Sequence, residues 1–332
     1  MSQELLTSLL KEVSRSFYLT MRVLPGAIRP QISLAYLLAR ASDTIADTAI
    51  IPLEKRRIAL AEFKGRIHGT NATKLDFGQL AQSQGKPAER ILLERCEEAI
   101  TVLEGFDPED QSRIREVIDV IIGGQDLDLC RFAQASKDCI VPLQNDAELD
   151  DYTYRVAGCV GEFWTKMCRA RLFPEIEMDD GVLLENGVRF GKGLQMVNIL
   201  RDIPADLRIG RCYIPLDQLR SVKMVPEDLL DPANTPRFEK LYKSYLSLAK
   251  EHLAAGWKYT TMLPHNQRRV RLACAWPILI GIKTLDKLER ENVLDGSRRV
   301  KISRAEIRSI LLRSLYLYPF SRAWERQFCG ER

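Results

Sequence analysis

The stretch SLAYLLARASDTIADT at residues 33–48 carries the strongest structural signal in this sequence. On a helix at about 100° per residue, its side chains separate into two opposite stripes. One stripe is apolar and consists of Leu34, Leu37, Leu38, Ala41 and Ile45. The other is polar and consists of Tyr36, Arg40, Asp43 and Asp47. Because small residues border the polar stripe, we expect this helix to present it to a confined cavity rather than to open solvent.

A second acidic stretch, GLQMVNILRDIPAD at residues 193–206, aligns oxygen ligands in the same way. Gln195, Asn198, Asp202 and Asp206 follow one another at spacings of three and four residues and share one helix face. Carboxylate and amide oxygens one turn apart suit Mg²⁺, which bridges carboxylates to substrate phosphates. The candidate metal ligands are Asp43, Asp47, Asn198, Asp202 and Asp206. We expect the two acidic faces to hold a diphosphate between them.

One residue within the second stretch works against this arrangement. Pro204 has no backbone N–H, so we expect the helix to kink or end near it. Asp206 is therefore not expected to stand one regular turn beyond Asp202.

The acidic spacing also has an ordinary explanation. With 45 acidic residues in 332, chance alone gives roughly six acidic pairs at i,i+4, and most such pairs lie on solvated helix faces. Glu94 and Glu98 form a pair of this kind. The two stretches differ because each contains an arginine, Arg40 or Arg201, and arginine suits bidentate contact with phosphate oxygens. Taken singly, each arginine is more typical of a surface ion pair.

Apolar residues recur at three- and four-residue spacing along almost the whole chain, and alternating β-branched runs are scarce. The sequence therefore predicts an all-α protein with a single domain over residues 1–332. The predicted helices cover residues 2–15, 31–50, 52–68, 87–104, 108–134, 146–172, 180–207, 235–262, 266–292 and 303–328. Residues 69–86 and 208–234 are expected to be the longer connections.

Composition excludes several classes of protein. The net charge of +4 is spread along the chain and indicates no nucleic-acid partner. The eight cysteines and three histidines show no zinc-ligand spacing. The longest uncharged apolar stretch, residues 272–282, is too short to span a membrane. Without a secretory signal at the N-terminus, we expect reduced thiols, a cytoplasmic protein and no transmembrane anchor.

Five ordered blocks resemble the squalene/phytoene synthase family. They are SRSFYLTMRVLP (14–25), AYLLARASDTIADT (35–48), DYTYRVAGCVGEF (151–163), LQMVNILRDIPADLRIGRCYIP (194–215) and CAWPILIGIKTL (274–285). The resemblance implies a single-domain isoprenoid synthase-type helical bundle with a central cavity. It also implies that two aspartate-rich helices hold Mg²⁺ ions against a prenyl diphosphate.

The resemblance assigns roles to residues outside the metal set. Tyr152 is the implied acid/base, and Arg40 and Phe17 complete the implied catalytic group. The implied substrate-binding residues are Arg15, Ser16, Tyr36, Gln195 and Arg201. The rings of Phe17 and Tyr36 could face carbocations, although such rings are more often part of a core.

Within the family, CAWPILIGIKTL followed by RRVKISR (298–304) is more similar to squalene synthases than to phytoene synthases. This similarity implies that Lys301 and Arg304 contact the phosphates of NADPH. The chain departs from the family pattern at Ser303, where a second basic residue is usual. It departs again at Ala46 and Ala205, where many members have glutamate, and at Ala273, where many squalene synthases have phenylalanine.

The reaction implied is head-to-head condensation of two farnesyl diphosphates to presqualene diphosphate, followed by NADPH-dependent reduction to squalene. Two enzymatic alternatives stay open, formation of dehydrosqualene without reduction and formation of phytoene from the longer geranylgeranyl chain. A third alternative is a non-catalytic scaffold on the same fold, although a scaffold has no need for aligned metal ligands. We expect a monomer with peripheral membrane contact, because the product would be a thirty-carbon hydrocarbon that must leave for lipid.

Overall fold

The computed structural model describes residues 8–14, 17–297 and 299–330. Contacts divide the chain into two compact units. The first contains residues 1–133 and 163–176, and the second contains residues 134–162 and 177–332. The protein is all-α, as the apolar periodicity predicts. The single domain with a central cavity stays a prediction.

Among the described residues before position 133 there are eight helices. They are α1 (Leu10–Ser14), α2 (Phe17–Val23), α3 (Arg29–Asp47), α4 (Leu53–His68), α5 (Gly78–Gln82), α6 (Pro87–Glu94), α7 (Cys96–Glu104) and α8 (Pro108–Arg131). The later elements are β1 (Val141–Pro142), α9 (Asp146–Thr153), a π-helical turn (Tyr154–Gly158), α10 (Cys159–Leu172), α11 (Asp180–Leu207), β2 (Arg211–Cys212), α12 (Leu216–Ser221), two 3₁₀ turns (Pro226–Leu230 and Pro232–Asn234), α13 (Thr235–Met262), α14 (Arg268–Leu288), α15 (Arg304–Leu317), α16 (Ser321–Glu325) and α17 (Gln327–Gly330). Within the described residues, no helix is long and apolar enough to cross a membrane.

Helix α3 confirms the two stripes predicted from its sequence. Leu34, Leu37, Leu38, Ala41 and Ile45 are all buried. Tyr36, Arg40 and Asp43 are half-buried, and Asp47 is exposed at the last residue of the helix. The apolar stripe packs against α8 and α4, and burial of several large aliphatic side chains is the main force that holds a helix in place. The polar stripe carries the residues predicted to form the site.

Helix α11 begins at an Asp179 side chain that accepts a hydrogen bond from the Val182 N–H, which satisfies one of the unpaired donors of the first turn. The helix continues through Pro204 to Leu207, so it does not end at the proline, and the expected kink stays a prediction. Pro204 leaves the carbonyl of Leu200 without its usual i+4 donor, and the Tyr242 hydroxyl donates to that carbonyl at 3.2 Å. Asp206 consequently remains on the helix.

Glycines allow α11 to approach the preceding helix closely. A Cβ at Gly161 would lie 1.9 Å from the Gly187 carbonyl oxygen, and one at Gly191 would lie 2.0 Å from the Ala157 carbonyl oxygen. Any side chain at either position would force the two backbones apart. This contact places the end of α9 beside the middle of α11.

A short parallel pairing ties the same region together. Val141 pairs with Arg211, and Pro142 pairs with Cys212. β1 lies shortly before α9, and β2 lies shortly after α11. The pairing thereby holds the loop that follows α11 beside the segment that leads into the N-terminus of α9.

Several predicted helix boundaries need correction. The predicted helix 87–104 is two helices separated at Arg95, and the predicted helix 146–172 contains the π-helical turn. The predicted helix 303–328 is three helices, α15 to α17. The connections at 69–86 and 208–234 contain short helices that apolar spacing did not reveal. The breaks within 87–104 and 303–328 are only one to three residues long, and such short breaks leave most of the apolar periodicity in place, which explains why the pattern missed them.

Candidate active site

The first acidic face lies on α3 of the first unit. Arg40 donates to Glu89 at 2.5 Å and lies 3.9 Å from Asp43. The Gln125 amide donates to the other oxygen of Asp43 at 2.5 Å. Glu89 and Gln125 are site residues that the sequence reasoning missed. They come from α6 and α8, and no local pattern links them to α3.

Asp43 ionises less readily in this surrounding than an ordinary aspartate does. Burial of the carboxyl and repulsion from Asp47 raise the pKa of Asp43 to about 6, although Arg40 and the Gln125 hydrogen bond act in the opposite direction. Arg40 divides its charge between Asp43 and Glu89. The face therefore contains more negative charge than its arginine neutralises.

The second acidic face lies on α11 of the second unit, and its side chains form a continuous hydrogen-bonded row. Gln195 donates to the Tyr152 hydroxyl oxygen at 3.3 Å, and Asn198 donates to Gln195 at 3.3 Å. Arg201 donates to Asn198 at 3.0 Å and to both oxygens of Asp202 at 3.0 and 2.6 Å. The structure thus brings together five residues that sequence reasoning singled out separately.

Arg299 is the main residue of this face that sequence reasoning did not select. It donates to both Asp202 oxygens, at 2.8 and 2.7 Å, from 97 positions along the chain. Burial favours the neutral form of Asp202, but hydrogen bonds from Arg201 and Arg299 hold its pKa below the usual range. The signal that could have found Arg299 is its place in the basic run RRVKISR, where Lys301 was preferred.

Asp206 contrasts with Asp202 one turn away. It lines a small recess together with Arg211 and Tyr213. Burial and repulsion from Asp202 raise the pKa of Asp206 to about 7, and the arginines at 211, 299 and 201 only partly oppose this rise. On the second face, the negative charge of Asp202 is thus balanced by two guanidiniums, whereas the negative charge of Asp206 is only partly balanced.

Tyr152 is held from two directions at the end of α9. Its ring stacks on Tyr213 with centroids 4.6 Å apart and planes 30° apart. Its hydroxyl oxygen accepts the Gln195 hydrogen bond. The π-helical turn that follows immediately is a geometry frequently found at functional sites.

The predicted NADPH contacts lie on an exposed segment of the second unit. Lys301 and Arg304 are both exposed, and Lys301 is two residues from Arg299. Ser303 caps α15, since its side chain accepts from the Glu306 N–H while Glu306 accepts from the Ser303 N–H. The departure from a basic residue at this position thus has a structural role as a capping box.

Three predicted residues cannot be placed in this way. Arg15 and Ser16 lie outside the described residues, as does the side chain of Phe17. Their predicted roles stay predictions. Tyr36 lies half-buried on the same α3 face as Arg40, which is where the helical spacing predicts it.

The acidic faces fit a divalent cation by their chemistry. In the described part of the chain, no three histidine, cysteine, aspartate or glutamate side chains cluster as a metal site on their own. Mg²⁺ commonly uses only one or two carboxylates together with water and substrate phosphates. Asp43 and Asp206 are carboxyl groups whose negative charge is disfavoured by a neighbouring aspartate, and a bound cation would relieve that repulsion.

Comparison with known proteins places the chain in one family. The family described as squalene/phytoene synthase matches residues 10–306. The chain belongs to that family. The family is one of isoprenoid synthases of the prenyltransferase type, and the predicted family membership is confirmed.

Individual relatives carry different names. Presqualene diphosphate synthase from Zymomonas mobilis is 31% identical over 243 residues, which are 73% of this chain and 70% of that protein. A bifunctional lycopene cyclase/phytoene synthase from Colletotrichum graminicola is 24% identical over 293 residues, 86% of this chain and 46% of that protein. The chain spans about half or less of the length of the curated bifunctional relatives that it matches.

Solved structures share the fold. TcSQS with the ligand E5700 matches with a TM-score of 0.79 at 20% identity, covering 100% of this chain and 99% of that one. A dehydrosqualene synthase matches with a TM-score of 0.66 at 19% identity, covering 96% of this chain and 98% of that one. At these identities the likeness is one of fold, and it confirms the all-α squalene synthase architecture.

Proposed function

We propose that this protein condenses two farnesyl diphosphates head to head into presqualene diphosphate and then reduces that product to squalene. The observation that carries the proposal is the row Tyr152, Gln195, Asn198, Arg201 and Asp202, extended by Arg299. It sets a hydroxyl, amides, guanidiniums and a carboxylate side by side. The 31% identity to a presqualene diphosphate synthase supports the same substrate class.

The first step breaks the bond between a farnesyl carbon and its diphosphate, and the electron pair leaves with the diphosphate. Arg201 and Arg299, which both donate to Asp202, are proposed to supply positive charge where the leaving oxygens become negative. Such fixed charge stabilises a transition state because it needs no reorganisation during the reaction. Arg40 and Arg15 are proposed to bind diphosphate in the same way.

The acidic residues would hold the metal. On the first unit these are Asp43 and Asp47, and on the second they are Asn198, Asp202 and Asp206. When bound there, Mg²⁺ supplies Lewis-acid stabilisation of the departing diphosphate. Asp202 is already oriented by two guanidiniums, so its geometry is fixed before substrate arrives.

Tyr152 is proposed to act as the acid/base that transfers the proton released in the condensation. The allylic cation adds to a double bond of the second farnesyl chain, and loss of one proton closes the cyclopropane ring. Stacking on Tyr213 and the Gln195 hydrogen bond hold the Tyr152 hydroxyl in one place. Its proposed role is to pass that proton toward the nearby diphosphate.

Lys301 and Arg304 would hold the phosphates of NADPH, which supplies the hydride for the reductive half. Both side chains are exposed and basic, and they lie within five residues of Arg299. Binding of NADPH can be followed directly by fluorescence. Lys301→Gln should weaken it without changing presqualene diphosphate formation.

The deciding experiment is incubation of the purified protein with farnesyl diphosphate and Mg²⁺, with and without NADPH, followed by mass spectrometry of the extracted lipids. We expect presqualene diphosphate without NADPH and squalene with it. Dehydrosqualene in both reactions would reject the reductive half. Consumption of geranylgeranyl diphosphate alone would instead assign phytoene formation, and no consumption of either would favour the scaffold.

A substitution pair tests the role of Tyr152. Tyr152→Phe should stop presqualene diphosphate formation, because it removes the proton-carrying hydroxyl while keeping the ring stacked on Tyr213. Tyr154→Phe is the matched control, since the Tyr154 hydroxyl donates to Glu162 at 2.9 Å instead. Normal product formation by Tyr152→Phe would remove this residue from the mechanism.

A further inference from the structure

Helix α15 has an outward face that its own fold leaves uncovered. Leu312, Tyr316 and Phe320 are 61%, 76% and 58% exposed. Ile310 and Ser314, on the opposite side of the helix, are buried. Isolated exposed apolar residues are ordinary, but a contiguous group of large ones marks an interaction surface. We call Ala305, Arg308, Ser309, Leu312, Arg313, Tyr316 and Phe320 the α15 surface.

The α15 surface has an ordered distribution of residue types. At about 100° per residue, Ala305, Ser309, Leu312 and Tyr316 fall within about 60° of one another. Arg308 and Arg313 lie about 40° beyond either edge of that strip. These six residues line one shallow groove along the helix. A strip of small residues and two large exposed ones, Leu312 and Tyr316, bordered on both sides by arginine resembles the pattern of a helix that lies in a lipid interface.

Aromatic residues next to the exposed rings are firmly packed into the fold. Tyr318 is buried and donates to the His265 carbonyl at 2.7 Å. Trp324 is 1% exposed and stacks on Trp257 with centroids 5.0 Å apart. The same short segment therefore buries two aromatic side chains firmly while Tyr316 points outward. Anchored in this way, the helix presents its outer face as a rigid surface.

The excess of arginine around the α15 surface favours an anionic partner. Residues 304–326 contain five arginines and two glutamates, and one of those glutamates, Glu306, is paired with Lys287 at 2.8 Å. A second copy of the chain meeting this face symmetrically would bring like-charged arginines together, which is unfavourable. Phosphate headgroups of anionic lipid complement the arginines, and the acyl boundary accepts leucine and aromatic rings.

We propose that the α15 surface binds an anionic lipid bilayer, with Leu312, Tyr316 and Phe320 entering the headgroup region. Arg308 and Arg313 contact lipid phosphates on either side of the strip. A tyrosine at this depth keeps its ring among apolar groups and its hydroxyl in water.

Flotation with vesicles tests the proposal on the full chain. The probes are vesicles of phosphatidylcholine alone and of phosphatidylcholine with phosphatidylglycerol. We expect binding to the anionic vesicles to be about tenfold to a hundredfold stronger, as several arginines near a charged surface predict, and to weaken as salt is raised. Equal binding to both vesicles, or binding to neither, would overturn the proposal. Because no substrate is present, failure here is separate from failure of the proposed reaction.

Variants locate the contact. Tyr316→Ser with Phe320→Ser, and separately Arg308→Gln with Arg313→Gln, should each reduce vesicle binding about tenfold or more. Ile58→Ser is the matched control, because Ile58 is 56% exposed on α4. Undiminished binding by both double variants would place the contact elsewhere and overturn the proposal.

A spectroscopic readout separates lipid from protein partners. In Tyr316→Trp, emission should shift to shorter wavelength when anionic vesicles are added, because the indole leaves water. Concentration-dependent association measured by light scattering, lost in the Tyr316 and Phe320 double variant, would instead assign the surface to a second copy of the chain. No emission shift with bound vesicles would also contradict the proposed orientation.

Discussion

The two acidic faces have the same DxxxD spacing but opposite electrostatic arrangements. On α3, Arg40 is shared with Glu89, and Asp43 has an amide as its close partner. On α11, Asp202 is held by two guanidiniums. The pKa of Asp43 is therefore raised, whereas the pKa of Asp202 is lowered. A sequence motif fixes the spacing of carboxylates, and the tertiary partners decide how much each carboxylate needs a cation.

The largest expected effect comes from removing one carboxylate from each face. Asp43→Ala and Asp202→Ala should each reduce turnover by about 10²–10³-fold or more, because each removes a carboxylate proposed to hold the Mg²⁺ that stabilises the leaving diphosphate. Their effects on stability should differ. Asp202→Ala leaves two arginines beside each other and should lower the melting temperature, whereas Asp43→Ala relieves repulsion from Asp47 and should not lower it. Initial rates and thermal melting test this, with far-ultraviolet circular dichroism as the folding control; retained turnover would contradict the metal assignment.

The second face also depends on the Leu200 carbonyl beside Pro204. Tyr242→Phe should lower the free energy of unfolding by about 1–3 kcal/mol, because it leaves a buried acceptor without a donor. In a Pro204→Ala background the same change should cost less, since the restored backbone N–H can reach Leu200. Urea unfolding of the four proteins in this cycle measures the coupling. Equal costs in both backgrounds would show that Tyr242 does not compensate for the proline.

The pH dependence of stability should distinguish the faces in the presence of a chelator. Between about pH 4 and the raised pKa, the folded protein keeps a proton that the unfolded chain has lost. Stability should therefore fall as pH rises, up to about pH 6 for Asp43 and about pH 7 for Asp206. Asp206→Asn should reduce the loss of stability between about pH 6 and pH 7, where only Asp206 contributes. Asp43→Asn should reduce only the loss below about pH 6. Thermal melting across this range checks the order, and an unchanged profile in Asp206→Asn would contradict it.

The smallest expected change in stability comes from the exposed partner of the second face. Arg299 is 53% exposed, so Arg299→Gln should change the free energy of unfolding by less than about 1 kcal/mol. The farnesyl diphosphate concentration at half-maximal rate should nevertheless increase, because one diphosphate contact is lost. Arg290→Gln, which changes a nearby exposed arginine, is the control and should alter neither quantity. Steady-state kinetics would contradict the proposed contact if both variants behaved like the unchanged protein.

Local features of the fold were predictable from the sequence because they depend on neighbouring residues. The stripes of α3 follow from helical period alone, and the start of α11 follows from an aspartate before an apolar run. Nonlocal partners were not predictable in this way. Gln125 reaches Asp43 across 82 positions, and Arg299 reaches Asp202 across 97. At Pro204 the helix does not end, and the donor for the Leu200 carbonyl is Tyr242 from another helix, which no local pattern predicts.

The π-helical turn Tyr154–Gly158 makes this region sensitive to chain length as well as to residue type. Its wider hydrogen bond, from the Cys159 N–H to the Tyr154 carbonyl, accommodates one more residue than an α-helical turn. Deleting a single residue there would rotate everything before it by about 100° around the helix axis. Tyr152 would then turn away from Gln195 although no side chain had been altered. Apart from Gly158, where a Cβ would lie 3.0 Å from the Tyr154 ring, substitutions along 154–158 should be tolerated more readily than a one-residue deletion, which would move Tyr152 out of the hydrogen-bonded row.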